Sequence, residues 1–340
     1  MQAAKKRLNH LWYRGQEFLG TPYAILGGAM TWVSERNLVA AISNAGGFGV
    51  LASGAMSPDL LRTEIRETQA RTSKPFGVNL ITLHPQLSDL IAVCVEENIT
   101  HVVLAGGLPP AKAITSLKDQ GIKVICFAPA LVIAKKLVKL GVDALVIEGM
   151  EAGGHVGPVS TSVLVQEILP HITEIPVFVA GGIGRGETIV SYLELGAAGC
   201  QLGTRFVCVT ESVAHPDFKK AFMQAHARDA VISPQLDARF PVIPVRALAN
   251  HATRDFVNYQ KELITLVDRQ ELDPKEAQLK IEHFWAGALR KAVVEGDIEK
   301  GSIMAGQSVG MVTQEQSTHE VIQELLSQAT QTLHARTPTP

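Results

Sequence analysis

The sequence predicts an α/β fold, a (β/α)8 TIM barrel with a small cap or lid domain inserted after the eighth strand. Eight short apolar runs precede residue 210, helix-like patterns separate most of them, and small residues follow nearly every run. Strands that alternate with helices predict a parallel sheet, and eight repeats predict its closure into a barrel. A doubly wound sheet is the alternative, but no GxGxxG fingerprint follows the first strand.

The apolar runs are four to six residues long, as is typical of strands covered on both faces. The predicted strands are Tyr23–Leu26, Phe48–Leu51, Phe76–Ile81, His101–Leu104, Lys123–Phe127, Ala144–Ile147, Pro176–Val179 and Gly199–Leu202. The predicted helices between them are Glu35–Asn44, Asp59–Gln69, Leu87–Glu97, Ala111–Gln120, Leu131–Leu140, Thr161–His171 and Glu187–Leu195.

The exit of the sixth strand carries a dense group of reactive and small residues. After the run Ala144–Ile147, the segment Glu148–His155 contains two acids, three glycines and a histidine. Glycine lets backbone N–H groups approach a ligand, and histidine can exchange a proton near neutral pH. Because all eight exits of a barrel face one end, we expect this segment at a ligand-binding mouth. The alternative is a glycine-rich turn with a solvated histidine.

Two further exits resemble a phosphate cradle. The segment Gly181–Gly184 follows the seventh strand, and Gly203 and Thr204 follow the eighth. Many barrels bind phosphate at these two exits through loop amides and a helix N-terminus. Glycine would supply N–H donors and Thr204 a hydroxyl. Arg205 could add charge, or it could pair with a carboxylate as a structural residue.

The repeat pattern breaks after the eighth strand. Stretches such as Phe240–Pro244 and Asn250–Asn258 fit neither strand nor helix repeats. We therefore assign residues 212–273 to a small cap or lid domain over the mouth. Residues 1–211 and 274–340 are assigned to the barrel.

Helical patterning returns in the C-terminal part of the barrel, at Pro274–Glu295 and at Gln314–Leu333. Between these two helices lies a run of small residues, Gly301–Gly310, whose backbone amides could return to the ligand. The tail Ala335–Pro340 should fray.

Composition and charge exclude several function classes. A formal net charge of −2 gives no electrostatic reason to propose a nucleic-acid partner. No apolar run has the length of a signal-peptide core or a membrane span, so we expect a cytoplasmic protein without membrane attachment. The four cysteines form no CxxC pair, which favours buried thiols in a reducing compartment. No HExxH or paired His/Cys set predicts a catalytic metal.

The motifs together give the sequence a family resemblance. It resembles the superfamily of flavin-dependent nitronate monooxygenases (2-nitropropane dioxygenases) and FMN-dependent enoyl-ACP reductases, from roughly Tyr23 to Val312. The motifs that carry the resemblance are Met30–Val33, Gly77–Asn79, Glu148–His155, Ala180–Ile183, Gly203–Phe206 and Ser302–Gln307. The resemblance implies a barrel with non-covalent FMN at its mouth.

The resemblance also implies roles for single residues. His155 matches the active-site histidine. The resemblance places the cofactor-binding residues around each part of FMN: Gly28, Ala29, Met30 and Asn79 would line the isoalloxazine, Glu148 would lie beside the flavin, and Gly153 and Gly154 would lie along the ribityl chain. Gly181, Gly182, Gly203 and Thr204 would hold the phosphate, and Met304, Gly306 and Gln307 would complete the pocket. A monovalent cation near the acids of the sixth exit is also allowed. The structural alternatives are that Glu148 anchors its loop through backbone N–H groups and that His155 pairs with the cofactor phosphate or a carbonyl.

Three functions remain open from the sequence. The first is an FMN oxygenase that oxidises alkyl nitronates with dioxygen. The second is an FMN reductase that takes electrons from NAD(P)H and acts on an enoyl thioester or a quinone. The third is a non-enzymatic flavin-binding protein. A homodimer is the hypothesis for assembly.

The motifs give conflicting indications between oxygenase and reductase. The segment Thr253–Phe256 and the run Met304–Gln307 favour the reductase branch. Ala24, Gly27 and Leu104–Gly107 depart from the reductase pattern at positions expected at the barrel mouth. Because a small nitronate also demands less of the pocket than an acyl carrier thioester, we favour nitronate oxidation narrowly.

Overall fold

A computed structural model, which describes residues 1–239 and 243–336, contains the predicted barrel. The strands are β1 (Ile25–Gly27), β2 (Gly49–Ala52), β3 (Phe76–Ile81), β4 (His101–Ala105), β5 (Lys123–Phe127), β6 (Ala144–Glu148), β7 (Gly154–His155), β8 (Val177–Ala180), β9 (Gly199–Leu202), β10 (Ala230–Ile232) and β11 (Val245–Leu248). Eight of them form one parallel sheet in the order β1-β9-β8-β6-β5-β4-β3-β2.

The two end strands of this sheet meet, so that the sheet curls into a barrel. Phe48, which precedes β2, donates its N–H to the carbonyl of Ile25 at 2.8 Å and accepts from Gly27 N at 2.9 Å. A parallel bridge joins Leu26 to Phe48. The predicted (β/α)8 barrel is confirmed, each predicted strand lies within two residues of the observed one, and the cap domain stays a prediction.

The helices alternate with the strands. They are α1 (Gln2–Leu11), α2 (Tyr13–Leu19), α3 (Arg36–Asn44), α4 (Pro58–Arg71), α5 (Leu87–Glu96), α6 (Ala111–Lys118), α7 (Leu131–Lys139), α8 (Thr161–Ile168), α9 (Gly186–Glu194), α10 (Pro216–Gln224), α11 (His251–Asp268), α12 (Pro274–Glu295) and α13 (Thr318–Ala335). Short 3-10 turns occupy Leu169–His171, Thr204–Phe206, Ala227–Asp229 and Gln307–Met311. The sequence analysis assigned no element to α1 and α2.

Side-chain capping sets the start of α13. The pattern predicted a helix from Gln314, but it begins at Thr318. Ser317 and Glu320 form a capping box there, in which Ser317 Oγ accepts from Glu320 N at 3.2 Å and Glu320 accepts from Ser317 N at 2.7 Å. Such reciprocal bonds satisfy backbone donors that the first turn would leave unpaired.

The end of the barrel opposite the strand exits is closed by α2. The carbonyl of Phe18 makes a 2.9 Å hydrogen bond with His101 Nε2 and accepts one from Lys123 Nζ at 2.6 Å. His101 and Lys123 are the first residues of β4 and β5. Burial lowers the pKa of His101 to about 4, so this histidine is neutral and structural at physiological pH.

The segment after the barrel strands forms a second layer. β10, β11 and β7 make an antiparallel three-stranded sheet, in which Val245 pairs with His155 of the sixth exit loop. A separate apolar cluster lies between α11 and α12, with members that include Phe256, Leu263 and Trp285. The sequence analysis assigned α12 to the barrel, but α12 also contributes to this cluster. The predicted boundary between cap and barrel at residue 273 therefore stays a prediction.

The expectation that Asn250–Asn258 is irregular was wrong, because α11 covers most of this stretch. Asn250 caps the helix, accepting from Thr253 N at 3.2 Å, while its own N–H donates to Thr253 Oγ1 at 3.1 Å. The first turn is polar, and the apolar face appears only from Phe256 onward, which hid the helical period. Residues Phe240–Val242 of the proline-rich stretch and residues 337–340 of the tail lie outside the described residues.

The four cysteines are buried free thiols, as the sequence predicted. Burial raises the pKa of Cys94, Cys126 and Cys208 to about 12 and that of Cys200 further, so none has thiolate character at neutral pH. Within residues 1–239 and 243–336, no helix combines the length and the apolar character needed to cross a membrane.

Candidate active site

The loop after β6 is anchored by an acid that sequence reasoning did not single out. Glu151 Oε2 accepts from Thr161 N at 2.9 Å and from Thr161 Oγ1 at 2.8 Å, at the start of α8. The carbonyl of Glu151 accepts from Gln307 N at 2.9 Å. The sequence analysis considered Glu148 for an anchoring role, but Glu151 has it. The two acids stand three residues apart, and nothing in the sequence distinguishes them.

Glu148 is the last residue of β6, and its side chain is half-buried at the barrel mouth. Among the described residues, none makes a hydrogen bond or ion pair with its carboxyl group. Burial raises the pKa of Glu148 from 4.5 to about 8. At neutral pH most of this carboxyl is therefore protonated and can donate a hydrogen bond to a ligand.

The raised pKa of Glu148 predicts a pH dependence of stability. The unfolded chain loses this proton near pH 4.5, whereas the folded chain keeps it until about pH 8. The free energy of unfolding of the flavin-free protein should therefore fall as the pH rises from 4.5 through 8. Glu148→Gln, an uncharged isostere, should lack this part of the decline. Denaturant titrations of both proteins at several pH values measure it, and parallel curves would contradict the assignment.

His155 lies on the short strand β7 and its imidazole is exposed. The backbone around it is held by pairing with β11, since His155 pairs with Val245 and Gly154 with Arg246. Arg246 is buried and donates from Nε to the carbonyl of Met150 at 2.9 Å, and from its Nη1 atom to the carbonyl of Ala230. The position of this loop therefore depends on the backbone pairing of Gly154 and His155 with β11.

The proposed phosphate cradle is formed by the adjacent exits of β8 and β9. Gly182 has a φ of +70°, a conformation that favours glycine. None of the described residues accepts a hydrogen bond from the backbone N–H groups of Gly182, Ile183, Gly203 or Thr204. Unpaired backbone donors at neighbouring exits suit an anionic group with several acceptor oxygens. These residues therefore fit the single phosphate of FMN.

Arg205 does not belong to this cradle. Its Nη2 donates to Glu324 Oε2 at 2.9 Å and its Nη1 to the carbonyl of Met311 at 2.9 Å. The side chain is buried, so the structural alternative considered for Arg205 applies.

The C-terminal run of small residues returns to the mouth, as predicted. Gly306 N donates to Thr204 Oγ1 at 3.0 Å, which leaves the hydroxyl proton of Thr204 for another acceptor. A Cβ on Gly153 would lie 2.6 Å from Gly306 N, so only glycine allows this approach. Met304 Sδ lies 3.7 Å from the position that a Cβ of Gly154 would take. Gly153, Gly154 and Thr204 therefore lie next to residues 304–306, while Gln307 contacts Glu151.

The β1 exit joins the same end of the barrel. Gly28 N donates to the carbonyl of Leu202 at 2.8 Å, and Met30 Sδ lies 3.4 Å from the position of a Cβ on Gly203. Ala29 lies between them and is half-buried. Asn79 is buried within β3 on another side of the barrel, and its Nδ2 donates to the carbonyl of Val103 at 3.1 Å. The side-chain hydrogen bond of Asn79 is therefore to the neighbouring strand β4 and not to another of the predicted site residues.

Of the departures from the reductase pattern, Ala24 does not lie at the mouth, and that part of the expectation was wrong, whereas Gly27 lies at the mouth end of β1 but a side chain there would face outward to α3. Ala24 precedes β1 at the opposite end of the barrel, where its carbonyl accepts from Cys200 N at 3.0 Å. Gly27 ends β1, but a Cβ there would lie 2.5 Å from Ile42 Cδ1 of α3. Neither position shapes the substrate side, so neither argues against an acyl substrate.

Metal ligands are not grouped in the described part of the chain, where no three His, Cys, Asp or Glu side chains stand close enough to hold an ion.

Comparison with known proteins assigns the family. The family model for nitronate monooxygenase matches residues 14–328. The chain belongs to the nitronate monooxygenase family. The resemblance drawn from the motifs is thereby confirmed, and the chain is an enzyme of a family of flavin-dependent oxidoreductases.

Three similar proteins span the branches of this superfamily. The structure of FabK from Thermotoga maritima is 38% identical, with a TM-score of 0.85, covering 95% of this chain and 97% of that one. The nitronate monooxygenase of Paraburkholderia phytofirmans is 30% identical over 86% of this chain and 88% of its own length. The (3aS,4S,5R,7aS)-5-hydroxy-7a-methyl-1-oxo-octahydro-1H-indene-4-carboxyl-CoA dehydrogenase of Mycobacterium tuberculosis is 35% identical over 65% of this chain and 62% of its own length.

Proposed function

We propose that the chain binds FMN at the barrel mouth and oxidises alkyl nitronates with dioxygen. The observation that supports this proposal is that backbone donors at the exits of β8 and β9, the Glu148 carboxyl with its raised pKa and the exposed imidazole of His155 lie at one end of the barrel. The family assignment and the nitronate monooxygenase relative, which aligns along most of both chains, support the oxygenase.

Each of these groups has a separate task in the proposal. FMN, when bound, supplies the electron transfer. The N–H groups of Gly182, Gly203 and Thr204 would hold its phosphate, and Gly153 and Gly154 would lie along its ribityl chain. Glu148 would donate a hydrogen bond to the flavin as a neutral acid. His155 donates to a nitronate oxygen, which fixes the substrate and stabilises charge on that oxygen.

The second candidate is an NAD(P)H-dependent reductase of an enoyl thioester or quinone. It is favoured by the 38% identity to FabK and by the thioester named for the Mycobacterium relative. The position of Ala24 away from the mouth, and the outward direction that a side chain at Gly27 would take, also weaken the argument against an acyl substrate. A non-enzymatic role has no support in this family. The monovalent cation, the homodimer and the cytoplasmic location stay predictions.

The two candidates differ in what reduces the flavin. A nitronate oxygenase takes electrons from its substrate, so propyl nitronate should bleach the flavin rapidly without a nicotinamide. A reductase must accept hydride from NADH or NADPH. Anaerobic stopped-flow absorbance with each compound alone measures this. We expect fast bleaching by nitronate and slow bleaching by either nicotinamide. Fast bleaching by a nicotinamide, with none by nitronate, would assign the chain to the reductases.

A further inference from the structure

Glu151 adjoins both exits that form the proposed phosphate cradle. On the side of β8, a Cβ on Gly182 would lie 3.0 Å from Glu151 Cβ. On the side of β9, Gly306 connects the two, because a Cβ on it would lie 2.8 Å from the carbonyl oxygen of Glu151. The same Cβ would lie 3.1 Å from Thr204 Oγ1. Glu151 is therefore part of the wall of the cradle.

The side chain of Glu151 brings a negative charge to this wall. Its carboxylate accepts hydrogen bonds from the N–H and the hydroxyl of Thr161, and none of the described cations forms an ion pair with it. Helix α8 begins at Thr161, and the partial positive charge of its N-terminus stabilises the carboxylate. A phosphate is itself an anion, so a carboxylate beside the cradle opposes phosphate binding unless a cation offsets it.

Arg246 is a buried cation that holds the same loop. Its Nε donates to the carbonyl of Met150, the residue before Glu151, at 2.9 Å, and its backbone pairs with Gly154. Burial lowers the pKa of Arg246, and the charge of Glu151 acts in the opposite direction. The two side chains therefore interact electrostatically without a direct ion pair, and an arginine keeps its charge at physiological pH.

Two other arginines follow the cradle exits in sequence, and each has a carboxylate of its own. Arg185 Nη2 donates to Glu187 Oε1 at 2.6 Å, and Arg205 Nη2 donates to Glu324 Oε2 at 2.9 Å. Among the described residues this leaves the guanidinium that binds the sixth exit loop as the cation that offsets the acid in the cradle wall.

We propose that Arg246 is a positioning residue for the phosphate of FMN and that it acts through Glu151. Its bond to the carbonyl of Met150 fixes Glu151 in the wall of the cradle, and its charge offsets the carboxylate that would otherwise repel the phosphate. The inference rests on the flavin site of the proposed function, but not on a nitronate as the substrate.

Riboflavin, which is FMN without its phosphate, separates this charge effect from the structure of the loop. Titration of the flavin-free protein with FMN and with riboflavin, followed by flavin fluorescence, gives two dissociation constants. Their ratio is the FMN preference. Arg246→Met should lower this preference roughly tenfold or more, the effect expected of one unit charge in a partly buried site. Glu151→Gln, which removes the charge but keeps an acceptor for Thr161, should raise it.

Three further variants complete the experiment. Glu151→Gln combined with Arg246→Met should recover the FMN preference that Arg246→Met loses, because no uncompensated carboxylate remains. Arg246→Lys keeps the charge and should keep most of the preference. Lys123→Met is the matched control, since Lys123 is a half-buried cation that donates to the carbonyl of Phe18 at the opposite end of the barrel. It should have the wild-type preference.

The outcomes separate this proposal from the proposed function. A loss of FMN preference in Arg246→Met that Glu151→Gln reverses supports the proposal even if no nitronate is oxidised, in which case only the nitronate assignment fails. Equal weakening of FMN and riboflavin binding in Arg246→Met would make Arg246 purely structural and overturns the proposal.

Two other results also decide the matter. A wild-type protein without FMN preference contradicts the cradle and this proposal together. Should Arg246→Met not fold, the other single variants replace it: a raised preference in Glu151→Gln with a retained one in Arg246→Lys supports the proposal, and an unchanged preference in Glu151→Gln overturns it.

Discussion

Gly182→Val is expected to give a folded protein that purifies without its flavin. Gly182 has a φ of +70°, and a Cβ at this position would lie 3.0 Å from Glu151 Cβ. The substitution therefore displaces the loop that presents unpaired N–H groups to the phosphate. Hydrogen bonds to a charged group contribute about 1.5–3 kcal/mol, so loss of one should weaken FMN binding roughly 10- to 150-fold. Flavin absorbance per mole of purified protein measures the loss.

Gly121→Val is the matched control for this experiment. Gly121 has a φ of +74°, so a valine there suffers a similar backbone strain. It lies between α6 and β5, at the end of the barrel away from the mouth, and a Cβ there meets no atom within 4 Å. This variant should keep its flavin. If Gly182→Val retains a full complement of FMN, or if both variants lose it equally, the cradle is assigned to the wrong loops.

His155→Ala is expected to lower turnover about a hundredfold or more, the usual cost of losing one hydrogen-bond donor to the charge on a reacting oxygen. Folding should be nearly unchanged, because the backbone of His155 makes the pairing with Val245 and the imidazole is exposed. Steady-state kinetics with the preferred substrate, together with the flavin content and thermal stability of the variant, separate a catalytic defect from a structural one.

His171→Ala is the control for this substitution. His171 is also exposed, but it ends the 3-10 turn Leu169–His171 ahead of β8, at the far end of the barrel. It should have wild-type turnover. Wild-type turnover in His155→Ala would make His155 a structural residue, and a loss of flavin in that variant would make it a cofactor ligand.

The barrel could be predicted from the sequence because its strands are buried on both faces. Ala144–Ile147 illustrates this, since all four side chains are fully buried and the sequence shows an unbroken apolar run. Helices with weaker patterns could not be predicted in the same way. α1 buries only Ala4 and Leu8, and the start of α11 is polar, so neither shows a helical period.

Site residues at strand exits could be located from the order of the strands, but their partners could not. The contact of Gly306 with Gly153 and Thr204 joins segments more than 100 residues apart. Glu151 and Arg246 hold the sixth exit loop through contacts with α8 and β10 that no local pattern indicates. The direction of a side chain cannot be read from the sequence either, so nothing in the sequence showed that a Cβ on Gly27 would face α3.

The most direct test of a flavin site at the barrel mouth is the visible spectrum of the purified wild-type protein, followed by identification of what denaturation releases. A single phosphate cradle at Gly182, Gly203 and Thr204, without a dinucleotide fingerprint, predicts a yellow protein that releases FMN and not FAD. A colourless protein that takes up no added FMN would contradict the proposed site, and release of FAD would contradict the single-phosphate cradle.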